Sequence, residues 1–166
     1  ASILSNSSTS RLNRNLVNTS GVAVSASAGY AMLTRGGLSL FEFYATPSEG
    51  INDSEIEAAL KEEIAKIVND GVTKDELNRV KTGVIAGDVY QKDSVFSQGM
   101  LIGQLETMGY SHKLMDQYIK NIKKVTSKQI QNVAAKYLID DRLTVVTLNP
   151  QTIDPNHKSQ GKPHVH

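Results

Sequence analysis

The sequence predicts an α+β domain in which an antiparallel sheet carries helices on one face. Three observations predict it. Residues 22–45 alternate at the two-residue period of strands, broken at Thr34-Arg35-Gly36-Gly37. Residues 54–138 instead carry apolar stripes at the helical period, between recurring capping signals. The order is helix, two strands, several helices and a closing strand, so helices and hairpin are segregated along the chain.

Taken in order, Ile3, Leu4, Leu12, Leu16 and Val17 sit at loose helical spacing among serines and asparagines that lower the propensity. Gly21 marks the stop. Val22, Val24, Ala26, Ala28, Tyr30 and Met32 are then expected on one strand face, with Ser25, Ser27 and Gly29 on the other. Leu38 to Ala45 is the second strand, and the two form a β-hairpin. Ser54 and Glu57 have capping-box spacing ahead of the stripe Ile56, Leu60, Ile64, Ile67 and Val68. Gly71 stops that helix. Thr73 with Glu76 opens the next, with Val72 and Leu77 placed as a hydrophobic staple. Thr126 with Gln129 repeats the construction, flanked by Val125 and Ile130.

Between these starts the chain reads as helical to Gly109, with a break near Gln91 to Ser94. Gly83, Gly87, Gly99 and Gly103 offer a four-spaced small face for close packing, while Lys81, Asp88, Lys92 and Asp93 exclude a membrane helix. Helices are expected over His112–Lys124 and Ser127–Leu138, then a strand over Arg142–Asn149. The domain is expected to span 1–149, with 150–166 a non-periodic tail.

At 166 residues the chain suffices for one domain burying roughly 70% of its unfolded surface. It has no cysteine, so disulfides and thiolate chemistry are excluded. Eighteen basic against 17 acidic residues leave a net charge of +1, which provides no global field for nucleic acid. No tryptophan is present to stack single-stranded bases. No apolar run approaches the roughly 20 residues of a membrane span, and the first ten residues lack a signal-peptide pattern. Three strands are few for this much helix. The expectation is a piece of a longer protein whose first strands precede Ala1, the alternative being a processed mature terminus.

The candidate chemistry is sparse. His112, His157, His164 and His166 lack the glutamate and second histidine at zinc-protease spacing. His164 and His166 have no third ligand nearby, and His112 reads as a surface residue. Ser20 precedes Gly21 without the Gly-x-Ser-x-Gly pattern of a serine nucleophile. Glu62-Glu63 and Asp140-Asp141 read as solvated faces. The basic run Lys120–Lys124 complements a helix C-terminus. No catalytic, cofactor-binding or metal-ligating residue is assigned.

The segments Ser10-Arg11-Leu12 with Leu16, Gly21-Val22-Ala23, Phe41 to Glu49, Gly71 to Lys81 and Val125 to Leu138 together resemble the second domain of pitrilysin/insulinase-type zinc metalloproteases, in the branch with mitochondrial processing peptidase. The resemblance implies a two-layer metalloprotease half, and a chamber of two halves with two such domains each. It implies zinc held by an inverted His-x-x-Glu-His motif in a first domain, with the Glu as general base. The second domain of the facing half would supply an Arg and a Tyr to the substrate near the scissile bond. Those positions are matched here by Val17, after Leu16, and Val24, after Gly21-Val22-Ala23. Valine donates no side-chain hydrogen bond. Arg14 and Tyr30 are the nearest arginine and tyrosine in sequence, about one helical turn and roughly 20 Å away.

The resemblance therefore implies a non-catalytic C-terminal domain of a zinc metalloendopeptidase, forming chamber wall and subunit interface. Its expected partners are an N-terminal domain of the same protein, a second homologous subunit and a peptide substrate. Zinc would lie outside this chain, and the family implies the bacterial periplasm, cell envelope or an organelle matrix. Two alternatives stay open: an inactive scaffold or peptide-holding homologue, and an unrelated α+β binding domain.

Overall fold

The computed structural model describes residues 1–34 and 39–150. A π-helical segment, Asn13–Thr19, leads into strands β1 (Ala23–Tyr30) and β2 (Phe41–Pro47). Helices α1 (Asp53–Asp70), α2 (Lys74–Lys92), α3 (Val95–Thr107), α4 (Leu114–Lys124) and α5 (Ser127–Tyr137) follow, then a short 3-10 turn, Asp140–Arg142. The α+β class holds, with β1 and β2 antiparallel as expected of the hairpin. Residues 35–38, where the turn was expected, lie outside the described residues, as does the tail beyond Pro150.

Tyr30 pairs with Phe41, Ala28 with Phe43 and Ala26 with Ala45, placing these residues on one face. Small alanines on β1 let that face lie close to the rest of the domain, and the Phe41 and Phe43 rings pack in a tilted pair with centroids 5.2 Å apart. The opposite face carries Ser25, Ser27, Tyr44 and Thr46, all exposed. The core gathers Ile3, Leu4, Leu12, Leu16, Ala26, Ile56, Ile67, Val72 and Ala134 between the sheet, the N-terminal segment, α1 and α5. Leu12 is fully buried and Leu4 nearly so, each worth about 1.5–3 kcal/mol. By contrast α3 buries only Leu105, and α4 no residue fully. The α3–α4 region rests on α2 as a thinner layer.

Several boundaries differ from the sequence reading. The first helix is capped by Asn52 with Glu55 in a reciprocal box, not by Ser54 with Glu57. Both start patterns satisfy the same spacing, and Asn52 wins because it stands in extended backbone just outside the helix. Thr73 caps α2 by accepting from the Glu76 amide, and Thr126 with Gln129 forms a complete box at α5. The break between α2 and α3 falls at Asp93-Ser94, as expected.

Three corrections are larger. Residues 143–149 form no strand: every one is exposed, and none of residues 144–149 makes a backbone hydrogen bond among the described residues. A strand needs a ladder partner, and the described sheet stops at two strands. The glycine face does not serve close packing either: a Cβ at Gly87, Gly99 or Gly103 would meet nothing within 4 Å. Finally, Glu63 is not on a solvated face but 1% exposed. It lies seven residues after Ile56 and four before Ile67, which are both buried on the same helical stripe.

Candidate functional site

The segment from Ser10 to Ser25 is held by dedicated side-chain contacts. Arg11 donates from Nε and Nη2 to the two Glu76 carboxylate oxygens, both at 2.8 Å, and Nη2 also reaches the Gly71 carbonyl at 2.9 Å. Both side chains are only 11% exposed. Burial would raise the Glu76 carboxyl, but the hydrogen bonds and charge of Arg11 hold it below its ordinary value. The same hydrogen-bonded carboxylate raises Arg11.

One turn later, Asn15 donates from Nδ2 to Glu63 Oε2 at 2.8 Å, while Lys66 Nζ bonds the other oxygen at 2.7 Å. Glu63 is thus a buried carboxyl group with both oxygens hydrogen-bonded. Its hydrogen bond raises Lys66.

These anchors pin a backbone that departs from the α-helix. In the π-helical register the carbonyls of Arg14 and Asn15 are reached from five residues on. Thr19 Oγ1 donates to the Arg14 carbonyl at 2.7 Å. The Ser20 hydroxyl and amide donate to the Asn15 carbonyl at 2.8 and 2.9 Å. Two hydroxyls therefore satisfy carbonyls that a regular helix end leaves open. Gly21 then takes φ +67°, the left-handed region a glycine adopts without strain.

The chain next enters β1 through a bulge. Ala23 pairs with Pro47 and Ser25 with Thr46, leaving Val24 as the extra residue. The sequence reading placed Val24 on the same face as Ala26. The bulge instead buries Ala23 at 2% exposure and leaves Val24 64% exposed.

Val17 and Val24 therefore occupy two backbone irregularities, a π-helix and a β-bulge. Val17 is half-buried and packs against the core, and Val24 stands in solvent. Neither side chain can stabilise developing negative charge. Arg14 is exposed and donates from Nε to Asn15 Oδ1 at 3.1 Å. Tyr30 lies at the far end of β1 with its ring 6.3 Å from that of Phe41, so the structure does not bring it to Val24.

The other candidates are dispersed. Ser20 spends its hydroxyl on the π-helix. His112 Nδ1 lies 2.7 Å from Glu106 Oε1, an exposed pair closing the turn between α3 and α4. The His112 backbone amide is the main cause of the lowered Glu106 carboxyl, with the imidazole contact second. His157, His164 and His166 lie outside the described residues. Among the described residues no three His, Asp or Glu side chains are grouped to hold a metal, so these side chains do not fit a zinc ion. A cavity of about 660 Å³ opens between α2, α3 and α4. Val84, Leu101, Leu105 and Met115 are among the residues lining it, with Asp88 paired to Lys92 at 2.7 Å. Sequence reasoning missed this cavity, because it depends on how three helices lean together. The bulge was equally invisible, since one extra strand residue leaves the alternation on either side intact.

The family described as the peptidase M16 inactive domain matches residues 1–84, half of the chain. No curated protein matches the sequence. In three dimensions the chain is similar to a protease from Helicobacter pylori, with a TM-score of 0.78 at 18% identity, covering 84% of this chain and 33% of that one. It therefore spans about a third of that protease. It is also similar to a candidate zinc protease from Bordetella pertussis, with a TM-score of 0.71 at 18% identity, covering 86% of this chain and 76% of the other. The inactive peptidase domain of a candidate zinc protease from Bordetella parapertussis gives 0.76 at 18% identity, covering 91% and 81%. At such identities the likeness shows the fold.

Proposed function

Because the chain belongs to the peptidase M16 inactive-domain family, we propose that it acts as a non-catalytic wall of a zinc-dependent metalloendopeptidase. Zinc and the general base would reside outside these residues, and peptide hydrolysis would be done there. Residues 1–149 act as one domain, with 150–166 as its tail. Its surfaces would meet an N-terminal domain of the same protein and a second homologous subunit.

One observation carries the reading. Val17 in the π-helix and Val24 at the bulge offer no side-chain donor at the two positions where the resemblance implies a substrate-binding Arg and Tyr. An oxyanion donor is typically worth about 10²–10³ in rate, and two are missing here. The Arg11–Glu76 and Asn15–Glu63 anchors tie this segment to α2 and α1.

The test incubates the purified 166-residue chain with zinc and a mixture of unstructured peptides. No cleavage is expected, alone or after Val17→Arg with Val24→Tyr. Cleavage is expected once a homologous chain bearing the inverted His-x-x-Glu-His motif is added. Chelator-sensitive cleavage by the chain alone would overturn the proposal. Failure of every mixture to cleave would point to the scaffold reading.

A further inference from the structure

We propose that the cleft between the N-terminal turn and α2 is a binding site for a small oxyanion, either a carboxylate or a phosphate group. The cleft encloses about 340 Å³ and is lined by Asn6, Ser7, Thr9 and Arg79 with Ile3 and Val80. No acidic side chain lines it. Its polar wall is built by Ser10, whose buried Oγ accepts the backbone amides of Asn6 and Ser7, both at 2.9 Å. That closes the 6–10 turn and sets Ser7 and Thr9 side by side, hydroxyl to hydroxyl at 3.0 Å. On the α2 wall Gly83 faces Asn6, whose side-chain Nδ2 would lie 4.0 Å from a Cβ at that position.

Arg79 supplies the charge. Carboxylates three and four residues back on a helix ordinarily engage a guanidinium. Here those residues are Glu76 and Asp75. Glu76 is committed to Arg11 by two 2.8 Å bonds, and Asp75 makes no ion pair among the described residues. Arg79 itself has no hydrogen-bond or ion-pair partner among the described residues. An unneutralised guanidinium beside the Ser7 and Thr9 hydroxyls and the Asn6 side-chain amide, with no acceptor carboxylate in the wall, is complementary to an oxyanion. Ile3 and Val80 leave apolar wall for a group attached to the anion.

The experiment follows the 15N-labelled full chain by NMR, including the arginine Nε–H signals. Inorganic phosphate is titrated in one arm, and a short acetylated peptide with a free or an amidated C-terminus in another. Saturable shifts at Ser7, Thr9 and Arg79 Nε are expected, with affinity falling at least tenfold in Arg79→Gln and unchanged in Arg14→Gln. Saturation by the free-carboxyl peptide and not its amide supports the site with a peptide terminus as source; saturation by phosphate alone supports it with a free anion. Linear, non-saturating shifts, or equal loss in both variants, would overturn it. Both arginines are exposed, so a native spectrum of each variant shows that the fold persists. The outcome is independent of whether any mixture of chains hydrolyses peptide.

Discussion

Glu63 and Glu76 show how a residue's role depends on its partners. Glu76 was legible as a capping residue, yet its side chain turns to Arg11 rather than back to Thr73. Its carboxyl is held below its ordinary value of 4.5, so the pair stabilises the fold fully above that value. The contribution is lost as pH falls through the lower folded value. In acid titrations of stability, the wild type is therefore expected to weaken more steeply below about pH 4.5 than Glu76→Gln. The opposite ordering would show that the pair contributes nothing. Asn15→Ala leaves one oxygen of the buried Glu63 without its 2.8 Å donor, at an expected cost of about 1–3 kcal/mol in urea denaturation. The substitution Glu62→Gln removes only an exposed contact to Lys66 and is expected to change stability by under about 0.5 kcal/mol.

Caps, stops and breaks were the most readable features of the elements, because their chemistry is local. Thr126 and Gln129 form the box their spacing predicts, and Thr126→Ala is expected to cost about 1 kcal/mol. Gly71 stops α1, and its place against α5 makes it more than a stop. Its φ is +74°, and a Cβ would come within 3.2 Å of Ser127 Oγ, which bridges the Val72 amide and carbonyl. A ψ of −152° places Gly71 in a region essentially confined to glycine, so Gly71→Ala is expected to lose about 1–3 kcal/mol in backbone strain and more through the α1–α5 contact. Thermal denaturation compares it with Gly87→Ala, where open space and helical backbone predict stabilisation of about 0.5–1 kcal/mol. The π-helix and bulge were not legible, because both arise from one residue too many between fixed anchors.

At the scale of the whole molecule, apolar burial is concentrated around the sheet, α1 and α5, while the last described segment stands free. Val146 and Leu148 are 88% and 89% exposed. Leu148→Lys is therefore expected to leave the stability of this chain within about 0.5 kcal/mol of wild type, and a loss above about 2 kcal/mol would show that the segment is packed. The sequence by itself determined the α+β class, the hairpin, the Thr73 and Thr126 helix starts and the absence of donors at Val17 and Val24, because each follows from local periodicity, capping chemistry or residue type. Only the tertiary structure decided that Val17 turns to the core and Val24 to solvent, that Glu63 is buried, and that residues 143–149 find no ladder. Those outcomes depend on which groups meet across the fold: a strand exists only where a partner satisfies its backbone, and a carboxylate is buried only where donors from other elements reach both its oxygens.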